Sequence, residues 1–109
     1  AEKCPNLVEL NVRECGKLTD AAITAVAEKC PNITYLDARG CRLTALPDNI
    51  GTLSKLKYLD LEDNQLTALP RSIVELDATC ELHLDVNPLQ TPPYQVARQG
   101  IPAIRRYFE

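Results

Sequence analysis

One spacing of leucines recurs along this chain, and it restricts the fold more than any other feature. Residues 56–66 read Leu-Lys-Tyr-Leu-Asp-Leu-Glu-Asp-Asn-Gln-Leu, which is the pattern L-x-x-L-x-L-x-x-N-x-L without exception. The pattern returns 23 residues later at Thr79, Leu82, Leu84, Asn87 and Leu89. Upstream, Cys-Pro-Asn at residues 4–6 recurs at residues 30–32. We therefore divide the chain into four repeats, in residues 7–32, 33–55, 56–78 and 79–93.

The L-x-L part of each repeat predicts a short β-strand. Its two apolar side chains point to one side of the strand, and the residue between them points to the other. One such strand cannot bury its apolar side alone, so we expect neighbouring repeats to stack into a parallel sheet. The asparagine position, Asn64 and Asn87, is expected to bond backbone groups where the strand bends away. Cys15 and Cys41 occupy that position in the first two repeats.

The segments between strands change character along the chain. Thr19 and Asp20 offer a helix N-cap, and the apolar residues that follow recur at helical spacing up to Lys29. This predicts an α-helix of about two to three turns. In the second and third repeats Pro47 and Pro70 shorten any helix, so extended or 3₁₀ segments are expected there.

The last residues predict a helical cap over residues 94–109. Gly100 suits a left-handed helix stop, and Pro102 suits the first turn of a second helix. In that helix Ile101, Ile104 and Phe108 share one face, which would cover the apolar end of the sheet.

Together these motifs resemble the leucine-rich repeat proteins. The resemblance implies an α/β fold: a right-handed solenoid of β-α units, with a concave parallel sheet of about four strands. The first half, with Cys-Pro-Asn-Leu, Cys15 and residues 18–23, resembles the cysteine-containing repeats of F-box adaptors. Leu-Thr-Ala-Leu-Pro, at residues 43–47 and 66–70, resembles the short repeats of intracellular scaffold proteins. The last thirty residues resemble the repeat end of Roco-type proteins, and the mixture also favours an engineered or hybrid array.

Composition predicts a single soluble domain over residues 1–109. The chain has a net charge of −3 and an acidic pI near 5.1, so we expect no nucleic-acid partner. No apolar stretch is long enough for a membrane helix, and no signal peptide is visible, so we expect no membrane partner. The odd count of five cysteines favours free thiols and a cytoplasmic location. Nothing before Cys4 would cover the first repeat, so we expect self-association through that end.

Twelve residues are predicted to point outward from the sheet and to form the binding surface. They are Glu9, Asn11, Arg13, Tyr35, Asp37, Arg39, Tyr58, Asp60, Glu62, Glu81, His83 and Asp85. Stacking aligns them in three rows: Glu-Tyr-Tyr-Glu, Asn-Asp-Asp-His and Arg-Arg-Glu-Asp. Six carboxylates and two guanidiniums leave this surface acidic around two neighbouring tyrosines. It predicts a protein partner that carries a basic patch around an apolar anchor.

The residues give little support to catalysis. His83 is the only histidine and has no nucleophile at a meaningful spacing, and no C-x₂₋₄-C pair is present for zinc. We expect Asp37 and Asp60 to be solvated neighbours, and Asp60 and His83 to be able to pair across the sheet. The cysteine columns Cys4/Cys30 and Cys15/Cys41 are interpreted as buried packing thiols, with a disulfide between repeats as the alternative.

The sequence therefore predicts a non-catalytic protein–protein interaction module with no enzyme activity, cofactor or metal. Two other functions stay open. One is an engineered or minimal repeat scaffold without a natural ligand. The other is a regulatory leucine-rich repeat fragment of a Roco-type GTPase or kinase, although no G-x-x-x-x-G-K-[ST] phosphate loop occurs in the chain.

Overall fold

A computed structural model describes residues 6–14 and 20–109 of the chain. The elements are β1 (Glu9–Asn11), α1 (Asp20–Lys29), β2 (Tyr35–Asp37), β3 (Tyr58–Asp60), β4 (Glu81–His83), α2 (Tyr94–Ala97) and α3 (Ile101–Phe108). Two 3₁₀ segments, Ile50–Thr52 and Arg71–Glu75, follow β2 and β3. Predictions that involve Cys4, Cys15 and Thr19 lie outside the described residues.

Within the described residues, four parallel strands form one sheet in the order β1-β2-β3-β4. Their central residues pair in register: Leu10, Leu36, Leu59 and Leu82. Leu36 and Leu59 on the inner strands are fully buried, whereas Leu10 and Leu82 on the edge strands are partly exposed. The predicted parallel sheet of four strands is confirmed, together with its α/β class.

The apolar side chains of the repeats share one core. Ile23 of α1, Leu43, Leu61 and Ile73 lie in the same buried cluster as Ile104 of α3. The leucines of the pattern fill it because the alternation of a strand sends them all to one side of the sheet. The segments between the strands therefore pack into the same core as the strands.

Asn64 joins two consecutive repeats through its side-chain amide. Its Oδ1 accepts hydrogen bonds from the backbone N–H groups of Cys41, at 3.0 Å, and Leu43, at 2.9 Å. Its Nδ2 donates to the carbonyls of Ala38, at 3.1 Å, and Leu61, at 2.8 Å. These bonds satisfy backbone groups that the bend after each strand would otherwise leave buried without partners. The role predicted for the asparagine position is confirmed here.

Asn87 repeats this arrangement one coil further along. It accepts from the N–H of Leu66 at 3.0 Å and donates to the carbonyls of Leu61 and Leu84. In the second repeat the thiol of Cys41 donates instead to the carbonyl of Val12 at 3.0 Å. A thiol has one weak donor and cannot bridge several backbone groups as an amide does.

The segments opposite the sheet agree with the prediction. Helix α1 spans ten residues and buries Ile23 and Ala27, and the segments after Pro47 and Pro70 are short 3₁₀ turns. These two turns pack so closely that a Cβ atom at Gly51 would lie 2.2 Å from the carbonyl oxygen of Ser72. A side chain at Gly51 would therefore force the two coils apart.

Helices α2 and α3 follow the last strand; α3 packs on the 3₁₀ segment Arg71–Glu75 of the third repeat, and α2 packs against α3. Gly100 has a positive φ, +94°, but its ψ of −177° differs from that of the predicted left-handed helix stop. Helix α3 buries Ile101, Ala103 and Ile104. The Arg105 guanidinium donates to the carbonyl of Val74 at 2.6 Å. Apolar burial and this hydrogen bond therefore both hold α3 against the segment that contains Val74. No helix among the described residues is long and apolar enough to cross a membrane.

A left-handed residue stands immediately before the asparagine position in each repeat. These residues are Glu14, Gly40, Asp63 and Val86, with φ between 57° and 69°. Glycine and aspartate tolerate this conformation, but a β-branched side chain is strained in it. Val86 is also 70% exposed, so its side chain gains little from burial.

Replacing Asn64 with alanine should strongly destabilise the fold. Asn64→Ala leaves the buried N–H groups of Cys41 and Leu43 without acceptors, and we expect a loss of about 3 kcal/mol in the free energy of unfolding. Asn87→Ala is the control, since Asn87 is only half-buried and should cost less. Urea unfolding measures both, and equal losses would contradict the role given to burial.

Relieving the strained backbone at Val86 should stabilise the protein. Val86→Asn should raise the free energy of unfolding by about 1 kcal/mol, because asparagine tolerates the left-handed conformation. Val86→Thr is the matched control: it removes apolar surface but keeps the β-branch. If the threonine variant gained as much in thermal or urea unfolding, exposure rather than strain would be the cause.

Candidate functional site: the outward face of the sheet

The strand register aligns the outward residues as the sequence predicts. One row contains Glu9, Tyr35, Tyr58 and Glu81, and the next contains Asn11, Asp37, Asp60 and His83. Backbone bonds extend the pairing past the strands, for example from the N–H of Glu14 to the carbonyl of Arg39 at 2.7 Å. The third row is therefore Arg13, Arg39, Glu62 and Asp85. We call the surface formed by these twelve residues the sheet face.

The centre of the sheet face is aromatic. The rings of Tyr35 and Tyr58 stack with their centroids 4.6 Å apart and their planes 5° from parallel. The His83 ring lies 5.1 Å beyond Tyr58 and is tilted by 45°. All three side chains are half-buried, so the rings form one contiguous surface rather than isolated side chains.

The structure contradicts the expectation that Asp37 and Asp60 are solvated. Their exposed fractions are only 1% and 2%. The Arg13 guanidinium lies 2.9 Å from Asp37, and the Tyr58 hydroxyl donates to Asp60 at 3.2 Å. Side-chain alternation predicts which side of a sheet a residue takes, but longer neighbours determine how deeply it is covered. The short aspartates lie beneath the rings and the arginine.

Each buried aspartate also accepts a backbone hydrogen bond. The N–H of Arg39 donates to Asp37 at 3.2 Å, and the N–H of Glu62 donates to Asp60 at 3.0 Å. Buried carboxylates need such partners. Two of the predicted contact residues are therefore internal supports of the sheet face, and their charges are not available for direct contact.

His83 pairs with glutamates rather than with Asp60. Its Nε2 lies 2.7 Å from Glu81 Oε2, and its Nδ1 lies 3.5 Å from Glu62 Oε2. The pairing with Asp60 that the sequence allowed is not formed, because the side chains of Glu81 and Glu62 reach the ring while Asp60 is bonded to Tyr58. The hydrogen bond to Glu81 raises the pKa of His83, aided by the charges of Asp60 and Glu62 and opposed by burial.

Tyr58 is held as a neutral hydrogen-bond donor. Burial, together with the charge and the hydrogen bond of Asp60, raises the pKa of Tyr58 to about 12. The hydroxyl thus keeps its proton at neutral pH and continues to donate to Asp60. The hydrogen bond to Asp60 therefore fixes the ring, which is half-buried.

Positive and negative charges are separated along the third row. Arg13 and Arg39 lie at the β1–β2 end, and Glu62 and Asp85 lie at the β3–β4 end. Tyr94 of α2, which is not among the predicted site residues, donates a hydrogen bond from its hydroxyl to Asp85, and this bond raises the pKa of Tyr94. The leucine spacing gives no signal for this contact, because Tyr94 lies beyond the last repeat.

The described residues contain no group of three or more histidine, cysteine or acidic side chains placed to bind a metal. Burial raises the pKa of the Cys80 thiol to about 11, which makes it a poor nucleophile at neutral pH. The disulfide alternatives involve Cys4 and Cys15, outside the described residues, and stay predictions.

Comparison with known families agrees with this architecture. Residues 28–89 match a family model described as "Leucine rich repeat". The chain belongs to the leucine-rich repeat family. A second leucine-rich repeat model matches residues 3–27. No curated protein matches the chain.

Leucine-rich repeats generally mediate protein–protein interactions and are typically non-catalytic. The two family matches support the repeat assignment at both ends of the array. They support neither the F-box-type nor the Roco-type assignment.

The environment of His83 predicts a pH-dependent contribution to stability. The pKa of His83 is raised above its ordinary 6.5, so its stabilising effect is complete below about pH 6.5 and is lost as the pH rises through the folded-state pKa. His83→Gln should cost more stability at pH 6 than at pH 9. Urea unfolding at both pH values measures the difference.

Because His83 is the only histidine, its NMR titration reports the pKa directly. Glu81→Gln should lower that pKa towards its ordinary value, since it removes the charged acceptor. An unchanged titration in Glu81→Gln would show that the Glu81 contact does not govern the protonation of His83.

Proposed function

We propose that this leucine-rich repeat chain is a non-catalytic protein-binding module that recognises its partner through the concave side of the sheet. One observation carries the proposal: the stacked rings of Tyr35 and Tyr58 lie at the centre of an otherwise charged sheet face. Rigid aromatic side chains supply large contact areas at low entropic cost and are enriched among residues that dominate binding energy. A face needed only for solubility would not require them.

The partner carries a basic patch that meets the β3–β4 end of the sheet face. Glu62, Glu81 and Asp85 supply the accessible negative charge there, with the exposed Asp63 beside them. Asp37 and Asp60 are too buried to meet the partner directly. Arg13 and Arg39 make the opposite end of the third row positive, so the charge pattern along that row also orients the partner.

Exposed apolar surface adjoins the acidic end. Val86 follows Asp85 directly and is strained as well as exposed. Strained residues persist where the surrounding structure fixes them, and they cluster at binding sites. A partner that covers Val86 while pairing with Asp85 would combine an apolar contact with a charged one.

The whole of residues 1–109 is proposed to act as one solenoid domain, with residues 94–109 as its cap. The burial of Ala97, Ile101 and Ile104 in the same core as the repeats supports this role. Self-association through the N-terminal end stays a prediction, because part of that end lies outside the described residues.

Reversing one charge at the acidic end should slow association with the partner. Binding proteins captured with the wild-type chain are identified and purified, and their association rates are measured with Glu81→Lys. We expect about a tenfold decrease at low salt and a smaller decrease at high salt. Glu28→Lys on α1 is the matched control, since it changes the net charge equally at an exposed site away from the sheet.

Arg39→Glu serves as a second control at the opposite end of the third row. It should leave association unchanged or accelerate it, because it removes a positive charge from the face. Equal slowing by Glu81→Lys and Glu28→Lys would contradict recognition through the sheet face. If every captured protein associated equally fast with all variants, the result would support the alternative of a repeat scaffold without a natural ligand.

A further inference from the structure

We propose that an arginine side chain of the partner packs on the open face of the Tyr35 ring and binds the Glu9 carboxylate. The inference rests on the proposed function of the sheet face as a protein-binding surface. It goes further by assigning one side chain of the partner to one place on that surface, at the β1–β2 edge rather than the acidic β3–β4 end.

Among the described residues, one face of the Tyr35 ring has no aromatic or cationic partner. Tyr35 stacks on Tyr58 through one face only, and Tyr58 is followed by His83 on its other side. In the chain as described, at residues 6–14 and 20–109, no ring or guanidinium packs on the other face of Tyr35. That face points along the row towards β1.

Glu9 is the neighbour of Tyr35 in the strand register. It belongs to the same row on β1, one strand spacing of about 4.8 Å away. Its side chain is exposed, and the described residues provide no ion pair or side-chain hydrogen bond for its carboxylate. The carboxylate can therefore take a cationic partner without breaking an existing contact.

A carboxylate and an aromatic face repel one another, because both present negative charge. The Glu9 carboxylate itself therefore gains nothing from contact with the Tyr35 ring. A cation between them is attracted by both groups: by the ring face through a cation–π contact and by the carboxylate through a charge-assisted hydrogen bond.

Arginine satisfies this pair of groups better than lysine. Its guanidinium is planar, so it can lie flat on the ring while its edge donates two hydrogen bonds to the carboxylate. A lysine ammonium is compact and strongly hydrated, and it cannot do both with a flat contact. The same sheet already contains a related contact, in which Arg13 of the first repeat reaches Asp37 of the second at 2.9 Å.

The neighbouring charges permit a second guanidinium at this edge. The positive charge of Arg13 is compensated by its contact with Asp37, and Arg39 lies in the third row rather than in the row of Glu9 and Tyr35. In the row that contains Tyr35, Glu9 on β1 carries a negative charge that no ion pair among the described residues compensates.

The test uses three capped glycine–serine peptides that carry one central Arg, Lys or citrulline. They are titrated into the full chain, and chemical-shift changes are followed by NMR. We expect the Arg peptide to shift the resonances of Tyr35 and Glu9 and to bind about threefold more tightly than the Lys peptide, with the uncharged citrulline peptide weaker still.

Variants assign the contact to the two groups. Glu9→Gln lies at an exposed position and should weaken Arg binding without disturbing the fold, whereas Glu28→Gln on α1 should not. Tyr35→Phe keeps the ring and should retain binding, but Tyr35→Leu should lose it. Unfolding measurements check that each variant is folded. If Tyr35→Leu does not fold, Glu9→Gln still tests the inference.

Two results would overturn the inference. One is that the citrulline peptide binds as tightly as the Arg peptide, and the other is that Glu9→Gln binds the Arg peptide as tightly as the wild-type chain does. If the shifts then fell on Glu62, Glu81 and Asp85, the proposed function would survive while the assigned arginine site would fail. If neither end of the sheet face responded and Glu81→Lys left partner association unchanged, both proposals would fail.

Discussion

The bridge that Asn64 makes between coils sets the geometry on which the rest of the structure depends. Its amide bonds backbone groups of the preceding coil and of its own, and so holds them at a fixed offset. Because each strand is only three residues long, a slip of one residue would turn its leucine outward and its polar residues into the core. The buried core and the aligned outer rows are two results of the same fixed offset.

The sequence was sufficient for most of the fold. Leucine spacing predicted the parallel strands, helical spacing predicted α1, and the prolines predicted the short 3₁₀ segments that follow Pro47 and Pro70. These features depend on local periodicity, which can be read directly from residue order. The contacts of the two C-terminal helices depend on distant residues, so the pairing of Tyr94 with Asp85 had no sequence signal.

The sequence predicted which residues belong to the candidate site but not how deeply each of them is buried. Alternation assigned the twelve residues to one side, and the register of the strands agrees with the predicted rows. It could not show that the long side chains of Arg13 and Tyr58 would cover the short aspartates beside them. Nor could it choose among the three carboxylates near His83, because that choice depends on side-chain length and on which acids are already bonded.

One further consequence concerns changes in the number of coils. Tyr35 and Tyr58 are neighbours in space although 23 residues separate them, because each coil contributes one member to every row. Removing the coil that contains Tyr58 would place Tyr35 beside Glu81 and would keep both side chains on the same side of the sheet. Lineages that gain or lose coils would thus shorten, lengthen or reorder the pattern on this surface while leaving its spacing intact.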